Sequence, residues 1–109
     1  MITILRNPAV TDKLLFELKE DDVLRGSITA VIDGGEITIT DLQSEVELYY
    51  DGLCRAVLAY ACVRGIDRAV FEITDERKLK RLKGFGFVSE GSNVMESVQQ
   101  FFSEDSCGC

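Results

Sequence analysis

The sequence predicts an α+β fold: a mixed, mostly antiparallel sheet with a central βαβ unit and helices packed on it. Three observations predict it. Asp33-Gly34-Gly35 joins two β-branched runs, a strong hairpin signal. A long apolar run from Leu53 to Val63 then reads as a helix. Arg68-Ala69-Val70-Phe71-Glu72-Ile73 follows as a further strand, and a crossover of this kind is right-handed in almost all proteins.

The elements follow in order. Leu14 to Leu18 is apolar and ends in the charged turn Lys19-Glu20-Asp21-Asp22. It reads as a strand, although Thr11 also suits the N-cap of a short helix over 12–20. Val23 to Val31 is the second strand and Glu36 to Leu42 the third. Alternation in the third puts Ile37, Ile39 and Asp41 on one face and Thr38, Thr40 and Leu42 on the other. Asp51 suits the N-cap of the long helix, and Gly65 stops it. That helix is apolar nearly all round, which predicts burial on most sides. After the strand at Arg68, Thr74 or Asp75 caps a second helix that runs to about Lys83. Phe87-Val88 starts another short strand. Over Asn93–Phe102, Val94, Val98 and Phe101 stand at helical spacing; a strand over 93–96 followed by a turn of helix fits nearly as well. Residues 1–102 read as one domain and 103–109 as a flexible polar tail.

Composition bounds the function. A chain of 109 residues that is 46% hydrophobic and 28% charged can build a core and is not expected to be disordered. A net charge of −7 disfavours nucleic acid as a partner. No apolar run reaches the ~20 residues of a membrane span. Met1 to Pro8 lacks the pattern of a secretion signal, so the cytoplasm is the expected location. The chain has no His, which removes a Ser-His-Asp triad, a Cys-His dyad and His-based metal sites. A base must then be a carboxylate, a thiolate, Lys, Tyr or water.

Four cysteines are expected as reduced thiols, metal ligands or redox groups. Cys54, in the first helical turn, suits a reactive thiolate or, more commonly, a small apolar filler. Cys62 lies about 12 Å further along the helix, too far for the two to bridge, and reads as core. Cys107-Gly108-Cys109 suits a soft metal or a strained disulfide, but two ligands do not close a zinc site. Arg77, Lys78, Lys80, Arg81 and Lys83 form a basic helix face. A solvated face that complements the helix dipole is preferred there over a phosphate site.

Taken together, Asp21 to Ile28, Ile39-Thr40-Asp41-Leu42, Asp51 to Leu58 and Leu79 to Phe87 form an ordered series. Over about residues 13–96 it resembles the GNAT superfamily of N-acyltransferases, shortened by the loss of the first two helices. The resemblance implies binding of acetyl-CoA or another acyl-CoA in a notch after the strand Glu36–Leu42. It implies transfer of the acyl group to a primary amine on a small molecule or protein. Backbone groups near Leu42 and Ser44 would meet the pantetheine arm. Backbone N–H groups of Gly52, Leu53, Cys54 and Arg55 would hold the pyrophosphate, and Asp41 or Glu45 would be the base. The physical logic is that a helix N-terminus offers unpaired N–H groups and partial positive charge.

Three positions depart from the family pattern. Tyr49 stands where the family loop has Gln or Arg. Asp51 brings a negative charge to the phosphate position. Leu82 replaces the Tyr often used as general acid. These departures support a second reading, a non-catalytic module acting through its thiols or a protein interface. A homodimer is a further reading, since a second chain would cover the sheet face that the missing helices leave open.

Overall fold

In the computed structural model, which describes residues 1–104, six strands form one sheet. They are β1 (Ile2–Arg6), β2 (Leu14–Glu20), β3 (Val23–Asp33), β4 (Glu36–Ser44), β5 (Arg68–Phe71) and β6 (Val94–Met95), and spatial order follows chain order. All neighbours are antiparallel except β4 and β5, which are parallel. Helix α1 (Tyr49–Val63) makes the crossover between those two. Helices α2 (Glu76–Phe85) and α3 (Val98–Glu104) follow β5 and β6. This is the expected α+β architecture, central βαβ unit included.

Period-two burial makes β2 a strand: Leu14, Phe16 and Leu18 are buried while Leu15 and Glu17 are half-exposed. The helix considered over 12–20 does not form. Asp21 and Asp22 make the β2–β3 turn with φ of 50° and 69°, the left-handed geometry of a tight hairpin. β1 is a strand the local pattern did not signal. Its five residues pair with β2, Ile4 opposite Leu18, and only Ile4 is half-buried.

Two expectations near the C-terminus change. Phe87 and Val88 are buried but form no strand. The antiparallel partner of β5 is instead Val94–Met95, so 93–102 is a strand followed by a helix.

Helix α1 starts before Asp51. Its N-cap is Leu48, which makes no side-chain cap, and Asp51 lies in the first turn. Its buried residues are Tyr50, Leu53, Cys54, Val57, Leu58 and Ala61, one stripe at helical spacing. Val63 is 74% exposed. Every other residue of the helix is buried or half-buried, against the sheet, α2 and α3, as its apolar sequence predicts.

The core fills one face of the sheet. Leu14, Phe16, Leu18, Ile28, Ala30, Ile37, Ile39, Leu42, Ala69 and Phe71 are all buried there. The opposite face presents Ser27, Thr29 and Thr38, half-exposed, with Thr40 and Asp41 exposed. Hydroxyl groups on this face tolerate water without a covering layer. No helix of the described residues is long and apolar enough to cross a membrane.

Candidate functional site

The parallel strands β4 and β5 part company halfway along. Their register runs from Glu36 opposite Arg68 to Ile39 opposite Phe71, with one more bond from Glu72 N–H to the Ile39 carbonyl, 2.8 Å. Beyond that, Asp41–Ser44 pair only with β3. The parting coincides with a bulge in β4. Thr29 faces Asp41 and Ala30 faces Ile39, which leaves Thr40 as the extra residue. A bulge bends its strand and increases local twist, which steers β4 away from β5.

The bulge also resets the faces of β4. Thr40 and Asp41 are both exposed and Leu42 is fully buried. Leu42 therefore joins Ile37 and Ile39 in the core, and Asp41 points the other way. This corrects the simple alternation expected from the sequence. On the outer face, Gln43 Nε2 donates to Asp41 Oδ1 at 3.0 Å. A hollow of about 350 Å³ lies at the ends of β3 and β4, lined by Arg25, Gly26, Ser27, Gln43, Ser44 and Glu45 among others.

Just past β4 the chain turns into α1, and the turn satisfies itself. Val46 N–H donates to Ser44 Oγ at 3.1 Å. Tyr49 N–H and Tyr50 N–H donate to the carbonyls of Val46 and Glu47 at 3.0 and 3.1 Å. Gly52, Leu53, Cys54 and Arg55 lie inside α1, where N–H groups serve the helical ladder. They do not offer the bare amides expected of them. Gly52 instead permits close packing: a Cβ there would come within 3.0 Å of Ile4 Cδ1 on β1.

Three carboxylates ring the start of α1, and each is held by arginine. Glu45 accepts from Arg25 at 2.9 Å. Asp51 accepts from Arg55 at 3.1 Å, and the Arg55 guanidinium also lies over the Phe101 ring, 5.3 Å from its centroid. Glu47 Oε1 accepts from Arg77 on α2 at 2.9 Å, and its Oε2 lies 3.1 Å from Arg81 Nε. That last contact is short but poorly aimed, since Arg81 Nε is sealed from solvent without a hydrogen bond.

Tyr50 stands between the starts of α1 and α2. Its ring is buried. Burial first, then the charges of Glu47 and Asp75, push its phenol above the ordinary value, while Arg77 pulls the other way. Cys54 is fully buried, and burial, with a smaller part from Asp51, pushes its thiol strongly up. It is an apolar filler, not a thiolate.

The Cys54 shift carries a pH signature. A thiol whose folded-state pKa is raised contributes stability below its unfolded pKa and loses it as pH rises. Stability is thus expected to fall above about pH 8.5, by up to ~1.4 kcal/mol per pH unit for this group. Thermal unfolding of wild type and Cys54→Ala between pH 7 and 10 checks this. The variant is expected to be less stable at pH 7 but to fall less steeply.

The structure brings Asp41, Leu42, Ser44 and Glu45 together at the parting of the strands and turns Gly52–Arg55 into helix interior. Leu82 is fully buried on α2. Cys62 is half-buried and packs against the core, as expected. Cys107 and Cys109 lie outside the described residues, and no cluster of metal-ligating side chains occurs among those described. Sequence reasoning missed Glu47 and Tyr50. Glu47 sits 30 residues from Arg77, so no local signal announces the pair.

No family model and no curated protein matches the sequence. Solved structures do. An IAA acetyltransferase from Bacillus cereus superposes with a TM-score of 0.67 at 12% identity, covering 79% of this chain and 76% of that one. An acetyltransferase from Bacillus subtilis in complex with CoA gives 0.64 at 10% identity, with coverage of 79% and 76%. The paia N-acetyltransferase from Thermoplasma acidophilum, in complex with coenzyme A, gives 0.60 at 15% identity, with 76% of this chain against 58% of that one. At these identities the likeness is one of fold: the chain shares the α+β architecture of these acetyltransferases.

Proposed function

We propose that this GNAT-like fold binds an acyl-CoA thioester where β4 and β5 part and transfers the acyl group to a primary amine. The observation that carries the reading is the parting itself. Beyond Ile39, one edge of β4 has lost its strand partner. An extended chain bearing amides, such as a pantetheine arm, can pair with such an edge as an added strand does. The backbones of Leu42 and Ser44 lie on this stretch. The CoA complexes of two fold neighbours support the same reading.

Asp41 suits the base better than Glu45. It is exposed on the open sheet face and oriented by Gln43, whereas Glu45 is tied to Arg25. Asp41 would take a proton from the incoming amine, directly or through water. The amine nitrogen bonds to the thioester carbonyl carbon, the C–S bond breaks, and the departing thiolate takes its proton from water. Leu82, buried and apolar, has no proton to give.

Calorimetric titration with acetyl-CoA, followed by thiol release on adding a panel of primary amines, tests this. Saturable heat and amine-dependent thiol release are expected. Absence of both at millimolar acetyl-CoA would contradict the proposal.

A further inference from the structure

We infer that Arg77 and Arg81 form an anion site for the phosphates of a nucleotide-bearing ligand, and that Glu47 occupies it as a built-in competitor. The inference rests on the acyl-CoA reading for where such a ligand lies. It adds the cationic side chains and the group that must give way.

Arg77 reaches Glu47 Oε1 through Nε at 2.9 Å and through Nη2 at 2.8 Å, a two-pronged contact. Arg81 Nε approaches Oε2 at 3.1 Å. Two guanidinium groups converging on two oxygens of one planar anion is the arrangement by which arginine holds phosphate as well. Arg77 and Arg81 together carry one more charge than Glu47, before the negative charge of Asp75 is counted. Of the neighbouring acid Asp75, Oδ1 is spent on the Lys78 N–H of α2 at 3.0 Å.

The internal occupant is a poor fit. Arg81 Nε is sealed from solvent yet makes no hydrogen bond, so its N–H is not aimed at the carboxylate beside it. A buried donor left unmade is costly, and a ligand oxygen placed on its axis would recover that cost. A phosphate group, with more acceptor oxygens than a carboxylate, can meet the forks of both arginines. Glu47 sits in the turn that opens α1, three residues past the end of β4 at Ser44.

Titration of wild type, Glu47→Gln and the Arg77→Ala, Arg81→Ala double variant with acetyl-CoA and with inorganic pyrophosphate, at fixed ionic strength, tests the inference. Glu47→Gln is expected to bind both about tenfold tighter, and the double variant about tenfold weaker. A purely structural ion pair predicts the opposite for Glu47→Gln: a lower melting temperature and weaker binding. If wild type binds acetyl-CoA and Glu47→Gln binds no tighter, the inference fails and the acyl-CoA reading stands. If Glu47→Gln binds pyrophosphate more tightly but no protein binds acetyl-CoA, the acyl-CoA reading fails and the anion site stands. Binding of neither ligand by any of the three overturns both.

Discussion

Asp41→Asn is expected to lower kcat/KM for amine acetylation by about 10²–10⁴-fold, the usual worth of a positioned general base. Affinity for acetyl-CoA should barely change, because the carboxylate faces away from the core face that bears α1 and Leu42. Stability should barely change either, since Asp41 is exposed and its one side-chain hydrogen bond is to Gln43. An amide keeps the shape and the bond from Gln43 but cannot accept a proton as a carboxylate does. Steady-state rates with acetyl-CoA and an accepted amine, alongside a thermal melt, separate these effects. Retention of half or more of the wild-type rate would remove Asp41 from the mechanism.

Phe71→Ala is expected to cost about 3–5 kcal/mol, the range for emptying a buried aromatic site. Phe71 is fully buried and lies opposite Ile39 in the last residue pair before the strands diverge. Its ring sits 6.2 Å from that of Phe87, which follows α2. Removing it opens the core where β5 and the segment after α2 meet. For a domain of this size the melting temperature should drop by more than about 10 °C. Thr38→Ala, on the open face, should cost less than about 0.5 kcal/mol. A Phe71→Ala loss below about 1 kcal/mol would mean that the core does not pack around this residue as described.

Much of the fold was legible because its signals are local. Asp33-Gly34-Gly35 specifies a hairpin wherever the chain goes, and the run from Leu53 to Val63 has no other reading than helix. The βαβ unit follows from their order. What was not legible depends on partners distant in sequence. β1 is fixed by its pairing with Leu18 and its neighbours; its own alternation, Ile2-Thr3-Ile4, is short. The bulge at Thr40 puts two consecutive residues outward, which in sequence looks like ordinary alternation one step out of phase. The start of α1 was placed too late because Asp51 is a good cap by type, yet the turn through Val46 and Glu47 begins the helix earlier.

The candidate site divides along the same line. Asp41, Leu42, Ser44 and Glu45 could be named from one strand and its exit. The roles of Gly52, Leu53, Cys54 and Arg55 could not be judged without knowing where the helix begins. Gly52 answers to Ile4, and Cys54 answers to burial. The basic face of α2 read as solvated, but Arg77 and Arg81 reach Glu47 across the gap between helices.

Backbone hydrogen exchange, read residue by residue with and without acetyl-CoA, addresses the strand edge most directly. Slow exchange is expected over Ile37–Ile39 in both states, and exchange within Thr40–Ser44 that is faster in the free protein and slows when ligand is added. Identical exchange over Thr40–Ser44 at saturating acetyl-CoA would contradict binding at that edge.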